Sequence, residues 1–404
     1  MAGFLVVAGL TGSVLAFYYE LDELSNPSLY HASPPTPGAA LLDPLELRDR
    51  LMQKVAGIQV DTVELEHKPG EAVTFYISGG KNEDTLTNDD EFFVDPYTGA
   101  ILGSRKWGDI TQGWKNFVPF VYRLHYELAL GTFGQWVMGL AALVWTLDCF
   151  VGFYLTLPIR RRANPKRPPA VHRQLARSWW ARWMPAWKVK TAGSSYRINF
   201  DLHRAGGLWL WAMLFVIAWS SVAFNLSTQV YEPVMKLMFD MREHADAIPE
   251  LEKPLRNPPI GFVRAREIGH RHMLGQAKAQ GFETGNPSYL SYDADKAIYY
   301  YGFASSADIR DDGTSSVIFS AINGKFLAVY LPNREAAGVQ VTTWIMGLHM
   351  ARIGGLPMQV FICVMGLIVI MLSSTGIVVW ARKRRARQKQ NRTVRGADNE
   401  RLAT

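Results

Sequence analysis

Nine histidines carry most of the chemistry this sequence offers: His31, His67, His125, His172, His203, His244, His270, His272 and His349. Three of them, His125, His203 and His349, lie within a few residues of a long apolar stretch. A neutral imidazole donates one ring nitrogen to iron, and two at matching depth in a membrane face each other across a flat macrocycle. Aligning Leu124-His125 with Leu348-His349 at an offset of 224 residues, without gaps, also aligns Gln135 with Gln359 and Gly152 with Gly376. The same offset sets Arg160-Arg161 on Arg384-Arg385. His125 and His349 are therefore equivalent positions of an internal repeat, the arrangement a bis-histidine b-type haem needs. Each histidine has an arginine nearby, Arg123, Arg204 and Arg352, to meet haem propionates at the membrane edge. Glycines follow each one (Gly131 and Gly134, Gly206 and Gly207, Gly354 and Gly355), and glycine lets a ring or a helix approach the backbone closely. The expected site is an outer haem b between His125 and His349, with His203 as one ligand of an inner haem.

Other candidates have simpler readings. A lone interfacial histidine is usually an amphipathic residue at headgroup level, and only the repeat lifts His125 and His349 above that. Gly269-His270-Arg271-His272 looks like a metal pair, but positions i and i+2 of a helix point apart, which leaves a solvated surface. Asp148 is an ionisable residue inside an apolar stretch and so a functional candidate, or else a hydrogen-bonded structural carboxylate. Its repeat partner is Leu372, so it stands outside the duplicated unit.

The elements that must hold these groups are set by hydropathy. Of the 404 residues, 48% are apolar and 20% charged, and four stretches (1–19, 131–158, 205–226 and 354–381) hold at most one charge each. A bilayer core of about 30 Å takes about 20 apolar residues of helix, so all four qualify as spans. That excludes a soluble enzyme, a nucleic-acid binder and a disordered chain. Cys149 and Cys363, the two cysteines, both fall in apolar stretches and make no disulfide framework. No G-x-G-x-x-G or Walker loop is present to bind a nucleotide.

The net charge of +7 is segregated along the chain. Residues 20–122 hold 17 acidic and 8 basic residues, and 226–343 hold 14 and 12. Residues 159–204 hold 12 basic against the single Asp201, and the tail from 382 holds nine against two. Basic flanking loops stay in the cytoplasm. The expected topology has both termini inside and the two acidic regions outside, and attraction of the basic runs to acidic headgroups is secondary.

The fold class read from this is a four-transmembrane-helix bundle with two α+β outer domains and an internal duplication. The segments are a first helix (1–19), an outer domain (20–122), a second helix (123–158), a basic Trp-rich loop (159–200), a third helix (201–226), a second outer domain (227–343), a fourth helix (344–381) and a basic tail (382–404). In the first outer domain 44–55 reads as helix, followed by strand-like 61–66, 72–78, 92–94 and 100–103. In the second, 263–279 reads as helix, followed by 288–292, 297–303, 317–320 and 325–331. Both close on a glycine-containing hairpin, at 95–99 and 321–324. The run from Ser178 to Trp187 interleaves Trp with Arg and reads as an anchor in the inner headgroup layer, with docking of an electron donor as the alternative. Matching span one to span three puts the partner of His203 four to five residues upstream of Met1, so the chain is expected to begin late and the inner haem to lack that ligand.

These residues resemble the PepSY-associated transmembrane family, bacterial inner-membrane proteins with four spans and PepSY-type outer domains. The likeness rests on Ala8-Gly9-Leu10-Thr11-Gly12-Ser13 with Glu20-Leu21-Asp22, and on Val94-Asp95-Pro96-Tyr97-Thr98-Gly99. Arg123-Leu124-His125, Asp201-Leu202-His203-Arg204 and Gly347-Leu348-His349 complete it, over nearly the whole chain. The resemblance implies a ferric-siderophore reductase holding b-type haems, with electrons drawn from a cytoplasmic or quinol donor and passed to a ferric siderophore or other iron carrier in the periplasm. The competing expectations are a membrane-anchored PepSY binding or regulatory protein without enzymatic activity, and an accessory subunit of siderophore transport.

Overall fold

The computed structural model describes residues 1–77, 87–158, 178–242 and 248–402, with side chains as far as 388; Arg160, Arg161, His172 and His244 lie outside the described residues. The chain folds as two compact units. One, helical, comprises Met1–Ser13, His125–Leu226 and Phe361–Thr404; the other comprises Val14–Leu124 and Ser227–Val360.

In the helical unit, Thr132–Thr156 and Gly355–Gln388 are long and apolar enough to cross a membrane. The other two expected spans are not uninterrupted helices. The first helix runs Ala2–Leu15 and a new one begins at Tyr18, where apolar residues give way to Tyr18-Tyr19-Glu20. The third is a pair, Ser195–Trp209 and Trp211–Asn225, bent by 73°. The bend falls at Leu210, whose ψ of 12° is not helical, three residues after Gly206-Gly207. Its flanking indoles are pinned to different carbonyls: Trp209 donates to Trp187 O (3.0 Å) and Trp211 to Cys149 O (2.8 Å). His203 therefore sits on the helix before the bend, and the uncharged helix after it runs 15 residues, about 22 Å at 1.5 Å each.

Side chains from all four apolar stretches share one core: Leu5, Cys149, Leu214, Ala218, Met365 and Val369. Small residues set the closest approach. A Cβ on Gly9 would lie 2.6 Å from Gly366 O, and the Ser13 hydroxyl reaches Cys363 O at 2.9 Å. Such backbone proximity is how apolar helices associate where no water drives them together.

The second unit is α+β. The helix Pro44–Lys54 starts where Asp43 accepts from Leu45 N (2.9 Å) and Pro44 occupies the first helical position. Strands β1 (Thr62–Glu64), β2 (Val73–Tyr76), β3 (Glu91–Val94) and β4 (Ile101–Arg105) follow. After the second helix, Phe262–Gln280, come β5 (Thr284–Asp293), β6 (Ile298–Ser305), β7 (Ser315–Ser320) and β8 (Phe326–Tyr330). Strands β2-β3-β4 make one antiparallel sheet. β1 leaves it and pairs antiparallel with β5, so the larger sheet runs β1-β5-β6-β7-β8. The two outer regions are thus interlocked through one sheet, and one apolar cluster (Leu47, Val60, Phe75, Tyr299, Phe303, Phe319) draws on both.

The Phe262–Gln280 helix lies on β6 only because Gly269 carries no side chain: a Cβ there would stand 2.5 Å from Tyr301 Cγ and 2.6 Å from its Cβ. Those atoms are close to the strand backbone and cannot swing aside. Gly269→Ala gains about 1 kcal/mol of helix propensity but overpacks the core by about 1–3 kcal/mol. A net loss of thermal stability is expected in a melt of the detergent-solubilised protein, and an unchanged or raised midpoint would show that the helix slides to make room.

Candidate functional site

His125 and His349 are reached by the same local device. His125 lies in the helix Phe117–Glu127, which stops at two left-handed residues, Leu128 (φ 53°) and Ala129 (φ 54°); Gly131 (φ 62°) then opens Thr132–Thr156. His349 is the last residue of Ala337–His349, which stops at Ala351 (φ 54°) and Gly354 (φ 82°) before Gly355 (φ 56°) opens the long apolar helix. The expected continuous helices over 123–158 and 344–381 are each broken here. Left-handed backbone is costly for residues with a Cβ, so Leu128, Ala129 and Ala351 mark points the surrounding structure must over-determine. Gly131 and Gly355 are 224 residues apart, the offset that relates the histidines.

Within the helical unit, His125 and His203 are seated alike. His125 rests on the Ala2–Leu15 helix, its Nδ1 2.9 Å from Thr11 Oγ1 and its Cε1 3.0 Å from where a Cβ on Gly12 would be. His203 rests on the long C-terminal helix, its Nδ1 3.0 Å from Leu372 O and 3.2 Å from Thr375 Oγ1. Its Cε1 would be 3.1 Å from a Cβ on Gly376. Neither seat admits a larger residue at its glycine without displacing the ring. Sequence reasoning names Thr11-Gly12 only within a family motif and Gly376 only as a repeat position, and gives neither a role beside a histidine. The available signal was a Thr-Gly pair occurring twice inside apolar helices.

The helix bearing His203 is fixed by Asp201, which is fully buried. Its Oδ1 accepts from Arg204 (2.9 Å) and its Oδ2 from Arg197 (2.9 Å). Arg204 also donates to Pro185 O (2.8 Å), yet its Nε is buried with no hydrogen-bond partner, as is Arg182 Nε. Ser178 caps the short helix Trp179–Trp183, and Trp183 packs with Ala186, Leu208 and Phe153. The Trp-rich run is therefore part of a packed layer, with Trp180 exposed. Of the other arginines, Arg123 donates to Gly108 O (3.3 Å), and Arg352 lies 4.6 Å over the Tyr19 ring.

The remaining candidates are placed plainly. His270 meets Tyr301 Oη (3.3 Å) and His272 meets Gly324 O (2.9 Å), so the two are drawn to different partners and make no metal pair. Asp148 is exposed on the Thr132–Thr156 helix, among Val144, Leu147 and Val151, rather than hydrogen-bonded inside the unit. Among the described residues no three His, Cys, Asp or Glu side chains gather as a bare metal ion would require. A haem asks less of the protein, one or two axial imidazoles. The donor set fits that demand: the His125 and His203 imidazoles are seated on apolar helices, each with its Nδ1 within hydrogen-bond reach of the neighbouring helix.

No curated protein matches the chain. The family model described as the PepSY-associated TM region matches residues 1–383, and with its apolar helices and α+β sheets this membrane protein belongs to that family.

Proposed function

We propose that the chain is a haem-containing electron-transfer protein of a bacterial inner membrane, reducing ferric iron or a ferric siderophore in the periplasm. One observation carries this reading. Two imidazoles are held against apolar helices on neighbours that leave no slack, Gly12 under His125 and Gly376 under His203. Ionisable side chains are costly in such surroundings and are kept there for function.

His125 and His349 would hold haem b on the outer side and His203 on the inner, and the group would supply reversible one-electron exchange at iron. Two sites are needed because a single one at either edge of a core about 30 Å thick leaves a long gap of saturated hydrocarbon. Arg204, held by Asp201, presents a cation near the inner site, and the apolar helices exclude water from both. Electrons enter from a cytoplasmic or quinol donor. Reduction of the bound ferric ion lowers its charge, and anionic oxygen ligands then hold it less tightly. The family relation, the matched offset of Gly131 and Gly355, and the core shared by four apolar stretches support reading the membrane part as a duplicated four-helix bundle.

Purified full-length protein from haem-replete cells is expected to give a b-type pyridine haemochrome and a Soret band that sharpens with dithionite. Colourless, folded protein overturns the reading. A second reading, a tethered α+β binding or regulatory protein, is favoured by one fact: Arg123 and Arg204 already have protein partners and are less free to meet propionates.

A further inference from the structure

The seats of His125 and His203 share more than a glycine. In each, a threonine hydroxyl and the carbonyl three residues before it face the imidazole, and the glycine immediately follows. The segments are Ala8-Gly9-Leu10-Thr11-Gly12 and Leu372-Ser373-Ser374-Thr375-Gly376. Thr11 Oγ1 faces His125 Nδ1 at 2.9 Å, and the Ala8 carbonyl bonds the same ring. Leu372 O and Thr375 Oγ1 face His203 Nδ1 at 3.0 and 3.2 Å.

The acceptors at each seat point to one tautomer. The Thr11 hydroxyl has one proton, and Val7 O at 2.7 Å takes it, since a carbonyl only accepts. With its proton so placed, Oγ1 offers Nδ1 a lone pair, and the Ala8 carbonyl, which also bonds the ring, calls for a ring N–H. The Thr375 hydroxyl donates likewise to Met371 O at 2.8 Å. Leu372 O, again only an acceptor, calls for a hydrogen on His203 Nδ1. In a neutral ring with hydrogen on Nδ1, the lone pair is on Nε2.

We propose that Thr11 and Thr375 are positioning residues that hold His125 and His203 as the Nδ1–H tautomer, with Nε2 as the nitrogen presented to an iron. This rests on the haem reading for its purpose, though not for its geometry. Hydrogen bonding at Nδ1 fixes ring orientation and raises the basicity of the ligating nitrogen, and loss of such a partner typically lowers metal affinity about 10- to 100-fold. Gly12 and Gly376 complete the seat by letting Cε1 reach the neighbouring backbone.

The test has a readout that needs no haem. In the haem-free full chain, labelled with 15N-histidine and reconstituted in lipid, the His125 and His203 resonances are identified by difference against His125→Gln and His203→Gln. Nδ1–H signals for both rings are expected. Thr11→Val is expected to weaken haem binding, titrated into the same protein, by about 10- to 100-fold, with Thr11→Ser restoring it. Thr375→Val should act in the same direction, since each seat keeps its carbonyl, Ala8 O or Leu372 O. Nε2–H signals at either ring overturn the proposal, as does Thr11→Val with unaltered haem affinity. Nδ1–H signals in a chain that takes up no haem sustain the tautomer assignment and end the electron-transfer reading, so the two failures are told apart.

Discussion

A His125→Ala, His349→Ala chain is expected to lose the proposed outer haem outright. Measured per mole of folded protein, the Soret absorbance should fall to whatever is held through His203, and the b-type pyridine haemochrome should fall with it. The effect should exceed the roughly 10- to 100-fold loss of affinity that follows removal of a supporting hydrogen bond, because here the iron loses both proposed ligands. Folding should survive. His125 lies in the last turn of its short helix and His349 ends its own, each ahead of a left-handed break. Full haem content in the double variant refutes the ligand assignment even if the protein is a cytochrome. The single His203→Ala chain provides the complementary measurement, a loss confined to the inner site.

The largest stability effect is expected at Arg105, which is fully buried together with Asp22. Its guanidinium grips Asp22 through two nitrogens (2.6 and 3.1 Å), bonds Glu91, and donates to Lys115 O (2.6 Å). Tyr30 donates to the same Asp22 carboxylate at 2.7 Å. The cluster ties the Tyr18–Ser25 helix to β3 and β4. Arg105→Met fits the volume but leaves two buried carboxylates without their cation, and breaking a buried pair from one side costs about 3–5 kcal/mol. That is a large fraction of what holds an ordinary domain together. The α+β unit should melt far earlier, and a triple variant with Asp22→Asn and Glu91→Gln should recover much of the loss. If Arg105→Met alone melts like the parent, water reaches the cluster and the network is not dry.

Glu91→Gln should behave differently from Arg105→Met. Burial pushes the Glu91 carboxyl above the ordinary carboxylate range, and Arg105 pulls it back only in part. A carboxyl with a raised folded-state pKa contributes stability below its unfolded value, and that contribution is lost as pH rises through the folded value. Over the window from the ordinary carboxylate range upward, Glu91 therefore makes the unit less stable as pH increases. Melting midpoints of parent and Glu91→Gln protein should converge at low pH, with the variant gaining on the parent as pH rises. A parent that gains on the variant instead reverses the sign and the assigned cause.

Local physics wrote several features directly into the chain. Long apolar runs, the Gly99 and Gly324 hairpins, the Asp43-Pro44 helix start and the strand alternation each depend on neighbours within a few residues, and they appear at or near the positions read from sequence. The histidine-bearing segments were equally visible, because an offset of 224 survives as a pattern of residue types. Tertiary structure settled what depends on distant partners. The pairing of β1 with β5 is a contact between strands more than 200 residues apart, and no local pattern specifies it. The bend at Leu210 follows from two indoles bonded to separate carbonyls, and the left-handed breaks after His125 and His349 from constraints the surrounding backbone imposes. Thr11 and Thr375 look like ordinary hydroxyls in apolar helices until folding lays an imidazole against each. A hydrogen bond across more than 100 residues leaves no periodicity to read, so only the folded chain shows which nitrogen of His125 or His203 is spoken for.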